Sequence, residues 1–225
     1  MTFEEYKKEC EIFGKIDSPE KLAICERQFN NYLLNIEDQN YFEPFAFDVS
    51  DDMTSIYKRN LYELLPFNKV REDELSFLIK PSFDPESMLL IKRQSDRYIL
   101  SYNKLTVNYW SVFCDDNKIV DVPKTVSTTE LSANIGHKLF KLLDEAIQEA
   151  RPPKGGVFTL DGVVFILARI LNGKQVIVFK HSPGQGSRTA NIIDLLINLV
   201  DNIENLNETV VLSVEEQIDS ISRNM

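Results

Sequence analysis

The residues best placed to do chemistry lie between 180 and 190, in KHSPGQGSRTA, at the head of an apolar-periodic segment. Two uses fit these residue types. Unpaired N–H groups at a helix start attract anions, and Arg188 and Thr189 would add a charge and a hydroxyl. On that use Ser182, Gly184, Gly186, Ser187, Arg188 and Thr189 cradle a phosphate or a nucleotide for an enzyme. On the other, Ser187 caps its own helix, and Pro183 with the glycines shapes the turn that carries a strand into it. The spacing is neither GxxxxGKS/T nor GxGxxG, and no lysine stands where a phosphate loop needs one. The turn is therefore expected to be structural, with anion binding as the alternative.

The other reactive side chains are scattered. His181 falls on the strand face of Phe179 and Ile177, next to the covering helices. His137 lies on a long helical segment and could approach it if that helix packs on the same face. Such a pair with Asp144 or Ser187 would resemble catalytic machinery, but no spacing demands it. Asp51-Asp52 and Asp115-Asp116 sit in turn-like or capping contexts without a calcium-loop pattern. Cys10, Cys25 and Cys114 are odd in number and lack CxxC spacing or clustered histidines. We expect no catalytic set, no metal site and no cofactor.

Composition narrows the partners. The 225 residues are 43% hydrophobic, enough for a sizeable core, and carry a net charge of −10. The charge is uneven, with 17 acidic against 9 basic residues from 1 to 75, 10 against 11 from 76 to 155, and 8 against 5 beyond. An acidic face repels nucleic acid and anionic membranes and attracts basic proteins. Tyr98, Tyr102, Tyr109 and Trp110, without a backbone-binding charge beside them, are expected in the core or in a protein-binding patch rather than as a base-stacking platform. The N-terminus has no basic region followed by an apolar one, and no apolar run approaches the length of a membrane span. The expected location is the cytosol.

These residues must be positioned by elements that the pattern predicts. Residues 3 to 14 read as a short helix. A longer one follows in DSPEKLAICERQFNNYLLNIED, with Ser18 as N-cap, Pro19 at the first helical position, and Leu22, Cys25, Phe29, Leu33 and Ile36 at helical spacing. The aromatic and acidic stretch 39 to 52 reads as a loop, followed by a helix from Met53 to Leu64 closed by Pro66. LSFLIKP, SMLLIKRQ, RYILSYN and TVNYWSVF read as strands, with hairpin breaks at QSD and NK and a further strand around Lys124 to Thr129. Residues 132 to 151 read as a helix capped by Ser132.

Asp161-Gly162 and Asn172-Gly173 both suit two-residue turns, which predicts three antiparallel strands in VFTLDGVVFILARILNGKQVIVFKH. Phe158, Phe165, Leu167 and Val178 then share one face, and Val164, Ile166, Ala168, Ile177 and Phe179 the other. A final helix spans 187 to 203. The fold class is α+β: a single domain with a helical segment over 1–70, an antiparallel meander packed by two long helices over 71–205, and a tail over 206–225.

The region 160–200, with its Leu160-Asp161-Gly162 turn, Ser182-Pro183 step and Gly186-Ser187 helix start, resembles small bacterial α+β proteins, some of them immunity proteins encoded beside interbacterial toxins. That resemblance implies a cytosolic binder that neutralises a protein partner rather than a catalyst. The expected contact surface is the loop in which Tyr41, Phe42, Phe45 and Phe47 alternate with Glu43, Asp48, Asp51 and Asp52. Aromatic anchors with an acidic rim suit a steered contact with a basic partner. The other use of these aromatics is to staple the helices to the sheet.

Overall fold

The computed structural model describes residues 1–12, 14–45, 53–116, 121–155 and 162–223. Apolar residues lie on both faces of β3 (Ser87–Gln94), β6 (Val163–Leu171) and β7 (Lys174–His181), while β2 (Glu74–Pro81) and β4 (Arg97–Leu105) turn Leu75, Phe77, Tyr98 and Leu100 to one face and Leu78 and Leu105 to the other. With β1 (Glu43–Pro44) and β5 (Lys124–Ser132) they form one antiparallel sheet in the order β1-β7-β6-β2-β3-β4-β5. A sheet apolar on both faces needs two covers. The α+β architecture expected from the sequence is the one adopted.

One cover consists of α5 (Ala133–Gln148), α6 (Arg188–Asp201) and α7 (Glu208–Arg223), packed on Leu75, Phe77, Leu89, Ile91, Leu100, Leu167 and Val178. The other consists of α3 (Met53–Leu64), α4 (Tyr109–Asp116) and the Leu65–Phe67 turn, packed on Leu78, Met88, Leu105, Ile166 and Ala168. The helix α3 is thus half of a layer rather than an appendage. Before it, α1 (Phe3–Glu11) and α2 (Pro19–Asp38) pair through Phe3, Tyr6, Phe29 and Tyr32. Here Ser18 caps α2 as expected, its hydroxyl accepting from Lys21 N–H at 3.3 Å.

The hairpin β6–β7 forms as predicted. Asn172 and Gly173 both take positive φ, and Leu167 pairs with Val178 and Ile166 with Phe179 on opposite faces. Residues 156–161, including Phe158 and the Asp161 side of the other turn, lie outside the described residues. The free edge of β6 expected to receive them is paired with β2 over Val163 to Arg169. Loop 39 to 52 contributes β1, whose Glu43 and Pro44 pair with Phe179 and Val178.

Three expectations fail for identifiable reasons. The stretch 106 to 113 is not a strand: Asn108 Oδ1 accepts from Ser111 N–H at 3.0 Å and starts α4, and Tyr109, Val112 and Phe113 have the i, i+3, i+4 spacing of a helix. The NK break is not a turn, since Asn103 and Lys104 continue β4 opposite Val126 and Thr125. Residues 208 to 223, within the expected tail over 206–225, form a helix. Asn207 Oδ1 caps α7 at Val210 N–H (3.1 Å), and Val214, Ile218 and Ile221 bury one stripe, each worth about 1.5–3 kcal/mol against exposure.

At Gly136 the backbone of α5 lies directly on the sheet. A Cβ there would fall 2.0 Å from the Tyr98 ring, which is buried between His137 and Phe140. Helix propensity favours Gly136→Ala by about 1 kcal/mol, but overpacking a ring that cannot turn away costs about 1–3 kcal/mol. We expect a net loss of stability in a thermal melt, recovered when Tyr98→Leu is added.

Candidate partner-binding site

The residues expected to meet a partner mostly meet the chain itself. The Arg151 guanidinium lies 3.6 Å over the Tyr41 ring. Phe42 is 1% exposed, inside the α5–α7 core, and its carbonyl accepts from Arg151 N–H. Phe45 packs edge-on to Phe67 and Phe179 on the other face. The Glu43 carboxylate accepts from Lys180 Nζ at 3.0 Å, and the same ammonium donates to the Asp38 carbonyl at 2.8 Å. So Tyr41, Phe42, Glu43 and Phe45 all have partners within the chain; burial takes the anchor role from Phe42, and the other three are half-buried staples. Phe47, Asp48, Asp51 and Asp52 lie outside the described residues.

The strand-to-helix turn is filled by the same N-terminal segment. Gly184 N–H donates to Gln39 Oε1 and Arg188 N–H to Asn40 Oδ1, both at 3.0 Å. The Thr189 hydroxyl donates to the Gln39 carbonyl, and the Arg188 guanidinium pairs with Glu149. Ser187 caps α6 through Ala190 N–H at 3.2 Å, Gly186 takes the positive φ of the turn, and the Ser182 hydroxyl accepts from Val163 N–H at 3.1 Å. Side-chain oxygens of Gln39 and Asn40 thus take N–H groups that a phosphate would need. The anion site expected as the alternative is occupied by the fold.

The two histidines lie on opposite faces. His181 shares its face with Phe179 and Ile177, which pack against α3 and α4, not against the longer helices as expected. Burial, and then the charge of Lys80, hold its imidazole below the usual histidine range. His137 stands edge-on to Tyr98 in a groove of about 680 Å³ under α5. There Asp144 binds the Arg169 guanidinium at 3.0 Å, and that guanidinium also stacks on Phe140. Among the described residues no three His, Cys, Asp or Glu side chains group as metal ligands. No described helix is long and apolar enough to cross a membrane.

The feature that sequence reading missed is a concavity of about 460 Å³ on the α3–α4 side. Its walls are Thr54 and Tyr57 of α3, Lys80 to Phe83 at the end of β2, and Asn108, Trp110 and Ser111 at the start of α4. Phe83 is 79% exposed and Trp110 37% exposed, and the neighbouring Met53 and Val107 are exposed too.

The wall is held rigidly. Tyr57 donates its hydroxyl to buried Glu86 at 2.6 Å, the other carboxylate oxygen accepts from Tyr109 N–H at 2.8 Å, and Trp110 stands edge-on to Tyr57 at 4.9 Å. Burial and the Glu86 charge push the Tyr57 phenol well above its ordinary range. The Ser82 and Ser111 hydroxyls donate to the Gly162 and Asn108 carbonyls. Lys80 Nζ sits 5.4 Å over the Tyr57 ring, its pKa drawn down by burial and then by the charge of Lys58.

The chain matches no family model, no curated protein and no solved structure. Its own geometry therefore carries the functional argument. An aromatic wall with two exposed rings, and with the Tyr57, Ser82 and Ser111 hydroxyls already committed, can seat an apolar side chain of another molecule.

Proposed function

We propose that this chain is a non-catalytic protein-binding module, an inhibitor of the immunity type that neutralises a protein partner, and that it docks that partner at the Phe83–Trp110 concavity. The observation that supports this most is the exposure of two large aromatic side chains on one rigid rim. Aromatic anchors around a concave site are the usual carriers of binding energy at interfaces. The acidic side chains of α1 and α2, among them Glu4, Glu9, Glu20 and Glu26, are exposed and steer a basic partner. The enzyme reading built on residues 182 to 189 loses support from the internal partners of that turn.

The test is to isolate the complex from the cells that make the chain and rebuild it from purified components. Phe83→Ala is expected to keep the melting temperature, and the double variant Phe83→Ala/Trp110→Ala to lower it through the lost Tyr57 contact while staying folded and weakening binding by about 2–4 kcal/mol, roughly 30- to 1000-fold. Glu20→Lys/Glu26→Lys is expected to slow association and flatten its salt dependence, with little change in dissociation. An unchanged affinity in the rim variant sinks the proposed site.

A further inference from the structure

The last strand of the sheet, β5, has no neighbour beyond it among the described residues. Its hydrogen-bond parity can be fixed from one bond: Thr106 N–H donates to the Pro123 carbonyl at 3.0 Å, in register with Lys104 opposite Thr125 and Tyr102 opposite Ser127. Antiparallel pairs alternate, so Thr125, Ser127, Thr129 and Leu131 turn their backbone groups toward β4. Lys124, Val126, Thr128 and Glu130 turn theirs away from the sheet. Among the described residues nothing hydrogen-bonds to the outward backbone groups of Val126, Thr128 or Glu130.

Open edges are commonly blunted by a central charge, a proline, a bulge or a covering element. Here Pro123 and Lys124 stand only at the beginning, and the middle is Thr125, Val126, Ser127, Thr128 and Thr129, a run of mostly β-branched residues without charge. Val126 is 58% exposed, and Lys124, Thr125, Thr128 and Glu130 are exposed beside it.

We propose that β5 is a self-association edge, pairing antiparallel with β5 of a second copy about a two-fold axis at Ser127. The parity and the charges select this register. Hydrogen-bonded pairs must come from the outward set, which leaves registers that differ by steps of two residues. With the axis at Ser127, Lys124 faces Glu130 of the second copy, Val126 faces Thr128, and each pair occurs twice. Moving the axis to Thr128 sets Glu130 opposite Val126; moving it to Val126 sets Lys124 opposite Thr128 and leaves Glu130 beyond the paired span. Only the Ser127 axis places unlike charges opposite each other, which favours the pairing, whereas like or mismatched pairs do not. Surface ion pairs of this kind choose the register more than they supply affinity.

The parity also supplies the test. The purified full chain is followed by sedimentation velocity from micromolar to millimolar concentration, with Thr128→Pro and Ser127→Pro as variants. Thr128→Pro removes an N–H that only the second copy would use, so the dimer is expected to disappear while the melting temperature holds. Ser127→Pro removes an N–H used by β4 and is expected to lower the melting temperature.

Ser127→Cys provides an independent readout, because the two residues on the axis form a non-hydrogen-bonded pair with Cα atoms about 4.5 Å apart, within disulfide range. Mild oxidation is expected to yield a covalent dimer from Ser127→Cys and not from Thr129→Cys or from the unsubstituted chain. The proposal is overturned by a chain that stays monomeric throughout, by a dimer that survives Thr128→Pro, or by equal cross-linking at 127 and 129. If Thr128→Pro unfolds the chain, the Ser127→Cys comparison decides.

Discussion

Lys180→Met is expected to destabilise the chain by about 3–5 kcal/mol, lowering Tm by roughly 10 °C. The Lys180 side chain is 1% exposed and its ammonium is shared between the Glu43 carboxylate and the Asp38 carbonyl. Removing the cation leaves a half-buried carboxylate without its ammonium and takes one of two donors from the Asp38 carbonyl, which also accepts from Tyr41 N–H at 3.2 Å. The Coulombic gain of the pair is modest against its desolvation, so losing both charges is far less costly than losing one. Lys180→Met/Glu43→Leu is therefore expected to recover more than half of the loss. Lys174→Met, on the same strand but exposed, is expected to stay within about 0.5 kcal/mol of the unsubstituted chain. Equal effects at 174 and 180 in denaturant titrations would mean that the junction of α2, β1 and β7 is not held by this ammonium.

Phe42→Ala is expected to cost about 3–5 kcal/mol, as for other aromatic truncations in a core. Phe83→Ala is expected to change stability by no more than about 0.5 kcal/mol, because that ring is largely in solvent. The contrast separates the two kinds of aromatic residue in this chain: one kind ties the N-terminal segment to the sheet, and the other faces outward. A small effect at Phe42 would return the 41 to 45 segment to the surface and to the contact role.

How far each feature could be read before folding depended on how local its cause was. The faces of β6 and β7 follow from period-two alternation and the Asn172-Gly173 turn, both contained within a few residues. The helix α4 was harder because its eight residues include Tyr109, Trp110, Val112 and Phe113, all strong strand formers. Its signal was Asn108, a cap that a strand reading has no use for. The helix α7 carried Asn207 and the Val214, Ile218, Ile221 stripe, a readable pattern diluted by polar neighbours.

The fate of the two stretches that attracted functional readings was not local at all. Asn40 bonds Arg188, 148 residues away, and Gln39 reaches Gly184 across 145. Helix-start N–H groups in a sequence look free until the element that satisfies them is known. The concavity was equally hidden, since Tyr57, Phe83 and Trp110 come from three elements and share no spacing.

The proposed docking site is tested most directly by a photo-cross-linking residue placed on the rim and at a matched control in living cells. The substitutions are Phe83→benzoylphenylalanine and Leu212→benzoylphenylalanine, the latter on the exposed side of α7, where Leu212 is 53% exposed and away from the concavity's walls. Irradiation is expected to join position 83 to one partner protein in a discrete adduct, lost when Trp110→Ala is added, with no such adduct from position 212. Adducts of equal yield from both positions, or none from position 83, would contradict a partner-binding role for this face.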